Sequence, residues 1–284
     1  MGPELSEVAP KNGAGVPQGI PALFDLTGQV ALVTGSSSGL GRAAAEGLAG
    51  AGAHVIIHGR DADRTAVVVA DIRAAGGLAT GLVADASDPD AMRDLFDEVV
   101  AQVGAPDIVM ANAGIAGGPS YRMRGGGIAD YPDDEWQAAL SANLTSTLIT
   151  LRQASRVMPD GGRIIVTSST AGLRADPFVS YGYAATKAAQ VNIVRQLALE
   201  LAPRGIRVNA IAPGPFKNTR IGGGGVLTPE FEEMWVATIP LGAMGLPEQL
   251  VGPVLFLASQ ASSFVTGITL AVDGGALALS HATF

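Results

Sequence analysis

From position 30 onward, short apolar runs alternate with longer stretches whose apolar residues recur at helical spacing. The runs fall at 30–33, 55–57, 82–84, 108–111, 164–167, 208–212 and 270–272, and they predict seven strands separated by helices. Each run is continuous rather than alternating, so both faces of every strand are expected to be covered. That is the mark of a parallel sheet in a doubly wound α/β domain. The expectation is one such domain over residues 23–284, a seven-stranded parallel sheet flanked by helices. Residues 1–22 carry Pro3, Pro10, Pro17 and Pro21 among glycines, a composition that cannot bury a core, and are expected to form a flexible N-terminal extension. Two stretches break the rhythm. Residues 117–134 contain Gly125, Gly126, Gly127 and Tyr131-Pro132, and 222–225 is a run of four glycines. Loops at the carboxyl ends of such strands surround ligands, so both are expected to act as mobile lids, the second within a lid loop around 215–238.

Composition narrows the classes. Of 284 residues, 48% are hydrophobic and 15% charged, which excludes disorder for the bulk of the chain and leaves a sparingly charged surface. Such a surface suggests burial between subunits. A net charge of -8, with Lys11, Lys187 and Lys217 the only lysines, argues against nucleic acid as a partner. The absence of cysteine removes disulfides, thiolate metal sites and a thiol nucleophile together. No apolar run approaches the ~20 residues of a membrane helix, and no cationic leader precedes an apolar one, so a soluble, cytoplasmic protein without membrane contact is expected. His54, His58 and His281 lack clustered ligands, and no metal is expected.

Two motifs carry chemistry. The first run leads directly into Thr34-Gly35-Ser36-Ser37-Ser38-Gly39-Leu40-Gly41, followed by an Ala-rich helical stretch. Glycines at 35, 39 and 41 permit a tight turn and close backbone approach to a pyrophosphate, with the free N–H groups of a helix start facing the anion. A purely structural turn has the same residues. Tyr183 and Lys187 stand four apart at the head of a helical stretch, so they share a face. An ammonium beside a phenol favours the phenolate and would pull its pKa from ~10 toward neutrality, fitting the pair for proton transfer. On spacing alone it also suits an ordinary surface pair.

Taken with Asp85, Asn112-Ala113-Gly114, Asn143, Ser168-Ser169-Thr170-Ala171-Gly172 and Pro213-Gly214 in that order, these motifs resemble the short-chain dehydrogenase/reductase family over roughly residues 25–275. The resemblance implies a Rossmann-type, NAD(P)-dependent oxidoreductase acting on a small-molecule ketone or secondary alcohol, assembled as a homotetramer or homodimer. It implies that Asn143, Ser169, Tyr183 and Lys187 are catalytic: Tyr183 as acid/base, Lys187 lowering its pKa and bonding the nicotinamide ribose, Ser169 holding the substrate oxygen, and Asn143 supporting a proton-relay water. Gly35, Ser37, Ser38, Gly39, Leu40, Gly41, Arg60, Asp85, Ala86, Asn112, Ala113, Gly114, Tyr183, Lys187, Pro213, Gly214 and Phe216 would bind the cofactor. Ser169, Tyr183, Ile115 and Phe216 would face the substrate.

The chain departs from the family pattern in two places. Ser169 lies one residue farther from Tyr183 than is common, a spacing that would otherwise point to Thr170, and the position of the usual Thr after Pro213-Gly214 is Asn218, with Thr219 next. Cofactor choice turns on residues 59–60. Gly59 stands where an NAD enzyme of the family has an acid, and Arg60 can pair with a 2′-phosphate, so NADP(H) is favoured over NAD(H). Ser38 and Asp61 weigh the other way. The rival readings are a non-catalytic dinucleotide-binding redox sensor, and an epimerase or dehydratase on the same fold, for which the chain has little room for a substrate domain.

Overall fold

The structure, a computed structural model, describes residues 19–217, 219 and 228–279. After a short helical turn, α1 (Ile20–Leu23), the chain alternates β1 (Val30–Val33), α2 (Gly39–Gly50), β2 (His54–Gly59), α3 (Ala62–Ala74), β3 (Leu78–Val83), α4 (Pro89–Gln102) and β4 (Ile108–Ala111). It continues through α5 (Asp133–Ala139), a π-helical segment (Leu140–Thr145), α6 (Ser146–Val157), β5 (Arg163–Thr167), α7 (Tyr181–Leu201), β6 (Arg207–Pro213), α8 (Pro229–Val236), α9 (Val251–Ala258) and β7 (Thr269–Val272). All seven strands are parallel in the order β3-β2-β1-β4-β5-β6-β7. The order reverses between β1 and β4, and the crevice at that switch point is where doubly wound sheets take their ligands.

The helices cover the sheet in two layers. Leu48 of α2, Val68 and Ile72 of α3, and Val254 and Leu257 of α9 pack on one face. Met92 and Phe96 of α4, Ile149 of α6, and Val194 and Leu201 of α7 pack on the other. The central strands β1, β4 and β5 are buried along their whole length, as their unbroken apolar runs require. The edges correct two expectations. The third strand spans Leu78–Val83 rather than 82–84, because Thr80 and Gly81 interrupt the apolar run while still pairing with Ile56 and Ile57 of β2. It is buried only at Ala79 and Leu82, and β7 is partly exposed throughout, since an edge strand has fewer neighbours to cover it. Residues 1–18 of the expected extension, and the glycines 222–225, lie outside the described residues, while Ile20 and Pro21 join the exposed α1. Among the described residues no helix is long and apolar enough to cross a membrane, and no His/Asp/Glu cluster could hold a metal ion.

Candidate active site

The glycine turn is built as its residues demand. Gly35 and Gly39 adopt φ of 66° and 56°, the left-handed region that glycine enters without strain. A Cβ on Gly41 would lie 2.4 Å from both Asn112 Nδ2 and the Gly35 carbonyl oxygen, so only glycine lets α2 start this close to the β4 loop. That loop is tied to the turn by Thr34, whose Oγ1 accepts from the backbone N–H of Asn112 (2.9 Å) and Ala113 (3.1 Å), while Asn112 Nδ2 donates to the Thr34 carbonyl at 3.0 Å. Ser38 precedes α2 without capping it through its side chain, which leaves the N–H groups of Gly39, Leu40 and Gly41 facing outward from the helix start. Free amides, a positive helix end and a floor with no side chains fit a dinucleotide pyrophosphate. Beside this floor a cleft of about 380 Å³ is lined by Ser37, Ser38, Gly39, Arg42, Asp63, Arg64 and Val67.

At the end of β2, a Cβ on Gly59 would sit 2.7 Å from Ser37 Oγ, so any side chain there would have to push that hydroxyl aside. Arg60 follows, exposed, and close enough to Asp85 to help hold that carboxyl below its usual range, a shift set first by the bonds Asp85 accepts from Ser87 N–H (2.9 Å) and Oγ (2.7 Å). Ala86 is buried beneath.

Across the switch point, α7 delivers the phenol and the amine. Ser180 caps the helix, accepting from Tyr183 N–H at 3.2 Å, and its own hydroxyl donates to the Gly117 carbonyl at 2.6 Å, so one serine joins the helix start to the β4 loop. Tyr183 and Lys187 are both buried, with Lys187 Nζ 5.6 Å from the Tyr183 ring centroid. Lys187 Nζ donates to the Thr167 carbonyl at 2.8 Å, and burial pulls its pKa down to about 7. Burial pushes the Tyr183 phenol above its ordinary value, hydrogen bonding with the Ser169 hydroxyl opposes that push, and the carboxylate of Asp176 adds to it. The expected lowering of Tyr183 by Lys187 is therefore corrected: in a site this dry desolvation outweighs a neighbouring amine whose own charge is weakened by the same burial. Asn143 sits in the π-helical segment, fully buried. Its Oδ1 accepts from Ile115 N–H at 2.7 Å, and its carbonyl accepts from Gln190 Nε2 at 2.9 Å.

A family model described as enoyl-(acyl carrier protein) reductase matches residues 35–276. The 3-oxoacyl-[acyl-carrier-protein] reductase of Aquifex aeolicus (strain VF5) is 37% identical over 254 residues, 88% of this chain and 98% of that one. The chain belongs to the short-chain dehydrogenase/reductase family. Its members are NAD(P)-dependent oxidoreductases of alcohols and ketones, and this chain is one of these enzymes. A 3beta-hydroxysteroid dehydrogenase of Eggerthella lenta is 39% identical over 258 residues, 88% of this chain and 94% of that one. The solved gluconate 5-dehydrogenase of Burkholderia cenocepacia J2315, in complex with NADP and tartrate, superimposes with a TM-score of 0.84 at 34% identity, covering 91% of this chain and 99% of its own.

Of the residues expected at the site, Asn112 is tied to Thr34 after β1 and accepts from Thr167 Oγ1 at the end of β5 (3.1 Å), while Ser169, Tyr183 and Lys187 meet at the start of α7. Phe216 is an exception to its expected place on the substrate wall: it is buried, its ring packed into the core on the α2 side and against Gly245, because the isolated bridge from Phe216 to Gly245 turns it inward. Ile115 is partly exposed at the mouth, and Gly214 N–H donates to the Val272 carbonyl at 3.0 Å, fixing the end of β6. Thr219 lies over the glycine turn, its Cα 3.8 Å from where a Gly39 Cβ would be, while Asn218 lies outside the described residues. In the described part of the expected lid, Lys217 forms an ion pair with Glu232 of α8, and the Phe178 ring packs on Trp235 at 5.0 Å with the Arg122 guanidinium 5.4 Å from the Phe178 ring centroid. Sequence reasoning passed over Thr34, Thr167, Asp176, Ser180 and Gln190. Only Ser180 had a local signal, a serine three residues ahead of Tyr183 at a helix start.

Proposed function

We propose that the enzyme interconverts a ketone and a secondary alcohol with NADP(H) as its preferred cofactor, and that Tyr183 is the acid/base. The observation that carries this is the burial of the Tyr183 phenol, in hydrogen-bonding reach of Ser169 and one helical turn from Lys187, across the crevice from a glycine floor suited to a pyrophosphate. A bound nicotinamide supplies or takes up the hydride. In the reductive direction Tyr183 gives its proton to the substrate oxygen as negative charge develops there, and Ser169 donates a hydrogen bond to the same oxygen. A phenol held in its protonated form by burial is the state that this step needs. Lys187 spends one N–H on the Thr167 carbonyl, and its remaining donors serve the ribose hydroxyls. Asn143 braces the β4 loop through Ile115 and supports a water that returns a proton toward Lys187.

Gly59 and Arg60 support the preference for NADP(H): the first carries no acid to repel a 2′-phosphate, and the second, exposed, presents its guanidinium beside it. The gluconate 5-dehydrogenase solved with NADP supports the same choice. We further propose a cytoplasmic enzyme, where nicotinamide cofactor is at hand, working as a homotetramer, in which exposed apolar groups such as Phe264, Leu241 and Leu199 are covered. The test is a panel of ketones and secondary alcohols assayed by the absorbance of reduced nicotinamide. Turnover of at least one member, faster with NADPH than NADH, is expected, and a protein that binds cofactor but turns over none would favour the redox sensor.

A further inference from the structure

We infer that His58 is a positioning residue for the cofactor: its neutral imidazole, protonated on Nε2, holds the glycine turn in its binding shape by accepting the Gly35 N–H. This rests on the proposed use of a nicotinamide dinucleotide. His58 lies at the carboxyl end of β2, beyond the last residue of the β1–β2 ladder, and is 1% exposed. Three hydrogen bonds join it to the turn. Ser36 N–H donates to the His58 carbonyl at 2.9 Å, His58 N–H donates to Ser36 Oγ at 3.0 Å, and Gly35 N–H donates to His58 Nδ1 at 3.2 Å. The first two are backbone or serine bonds that any residue at 58 would keep. Only the third depends on the side chain.

That third bond fixes the tautomer. An acceptor Nδ1 carries no proton, so the proton is on Nε2, which is buried without a partner at full hydrogen-bond geometry and faces the backbone of Ala84. Burial holds the imidazole neutral, its pKa pulled down to about 4, against the opposing pulls of the Ala84 backbone and then of Asp85. The function of the bond follows from Gly35 itself. With φ of 66° Gly35 turns the chain sharply, and its N–H, part-buried against β2, would lose its hydrogen-bond partner without the His58 ring. Satisfying it from the β2 side leaves the amides of Gly39, Leu40 and Gly41 as the ones turned outward, and fixes the distance of the turn from Asn112 and Gly41, where there is no slack.

The experiment compares His58→Asn, whose Oδ1 stands where Nδ1 stood and can accept the same N–H, with His58→Leu, which fills the space and cannot. Dissociation constants for NADPH are measured by fluorescence titration, alongside kcat at saturating cofactor and thermal melts. The proposal expects His58→Asn to bind within about threefold of wild type, and His58→Leu to bind about tenfold or more weakly with a much smaller change in kcat. Equal binding by the two variants would overturn it. A second measurement does not depend on how the variants fold: ¹⁵N NMR of the histidine rings in the wild-type protein is expected to show one imidazole locked in the Nε2–H form at neutral pH, and a His58 ring in the Nδ1–H form or protonated there would overturn the proposal. Wild-type protein that binds neither NADPH nor NADH would instead refute the cofactor reading on which this one rests.

Discussion

Tyr183, Ser169 and Lys187 differ in what their surroundings do to them, and the differences are measurable. Tyr183→Phe removes only a hydroxyl from a buried ring, so the fold and cofactor affinity should survive while turnover falls by roughly 10²–10⁴-fold, as steady-state kinetics would register. Ser169 and Thr170 compete for one proposed role, and the reach of Ser169 to the phenol favours Ser169: Ser169→Ala should lower turnover at least about tenfold, and Thr170→Val should leave it within a few fold. Lys187 has a folded pKa of about 7 against an ordinary 10.5, so between these values the unfolded chain holds a proton that the folded one does not. Stability of the cofactor-free enzyme should therefore rise with pH across that window, by up to ~1.4 kcal/mol per unit from this residue. Lys187→Met should flatten the rise, which urea melts between pH 7 and 10 would test. Arg60→Ala should cost NADPH about ten- to a hundredfold in kcat/KM and leave NADH nearly unchanged. Equal slowing of both cofactors would take the phosphate contact away from Arg60.

Among the elements, the turn into α2 has the least tolerance. Gly39 and Gly41 are both glycine for different reasons: the first for its positive φ, since a Cβ there would meet nothing nearer than Thr219 Cα at 3.8 Å, the second because backbone and the Asn112 amide occupy the place of a Cβ. Gly39→Ala should cost about 1–2 kcal/mol of local strain. Gly41→Ala should do more, lowering the melting temperature and abolishing measurable cofactor binding, since the Asn112 tether must break to make room. The π-helical segment that carries Asn143 is equally local in effect. It widens one turn between α5 and α6 and places the Asn143 backbone carbonyl where Gln190 of α7 reaches it, while the Asn143 side chain takes the β4 loop, so these elements meet on one buried residue.

For the whole molecule, the sheet brings residues separated by 150 positions into one crevice because strand order reverses between β1 and β4. Its edges are left thinly covered, and Phe264, just before the edge strand β7, is fully exposed. Light scattering at micromolar concentration is expected to give four times the 28.6 kDa of one chain, and Phe264→Ser to shift that mass downward. A wild-type protein that stays monomeric would contradict the assembly.

What the sequence by itself determined is whatever depends on neighbours along the chain. Unbroken apolar runs specify strands buried on both faces, which is why β1, β4 and β5 are legible, while Thr80 and Gly81 break the run of the edge strand β3 and hide its start. The i, i+4 spacing of Tyr183 and Lys187 and the three glycines after β1 are local as well, and they placed the pair on α7 and the turn at the start of α2. Only the tertiary structure decided what depends on desolvation and on contacts between distant segments. Burial, a property of all the elements packed around a group, raised the Tyr183 pKa where a neighbouring amine promised to lower it. Phe216 turned into the core because Gly245 leaves space for its ring, and Thr34, Thr167 and Gln190 joined the site through hydrogen bonds to residues dozens of positions away. No pattern within a window of the chain encodes such a bond, because its two ends are brought together by the packing of the sheet.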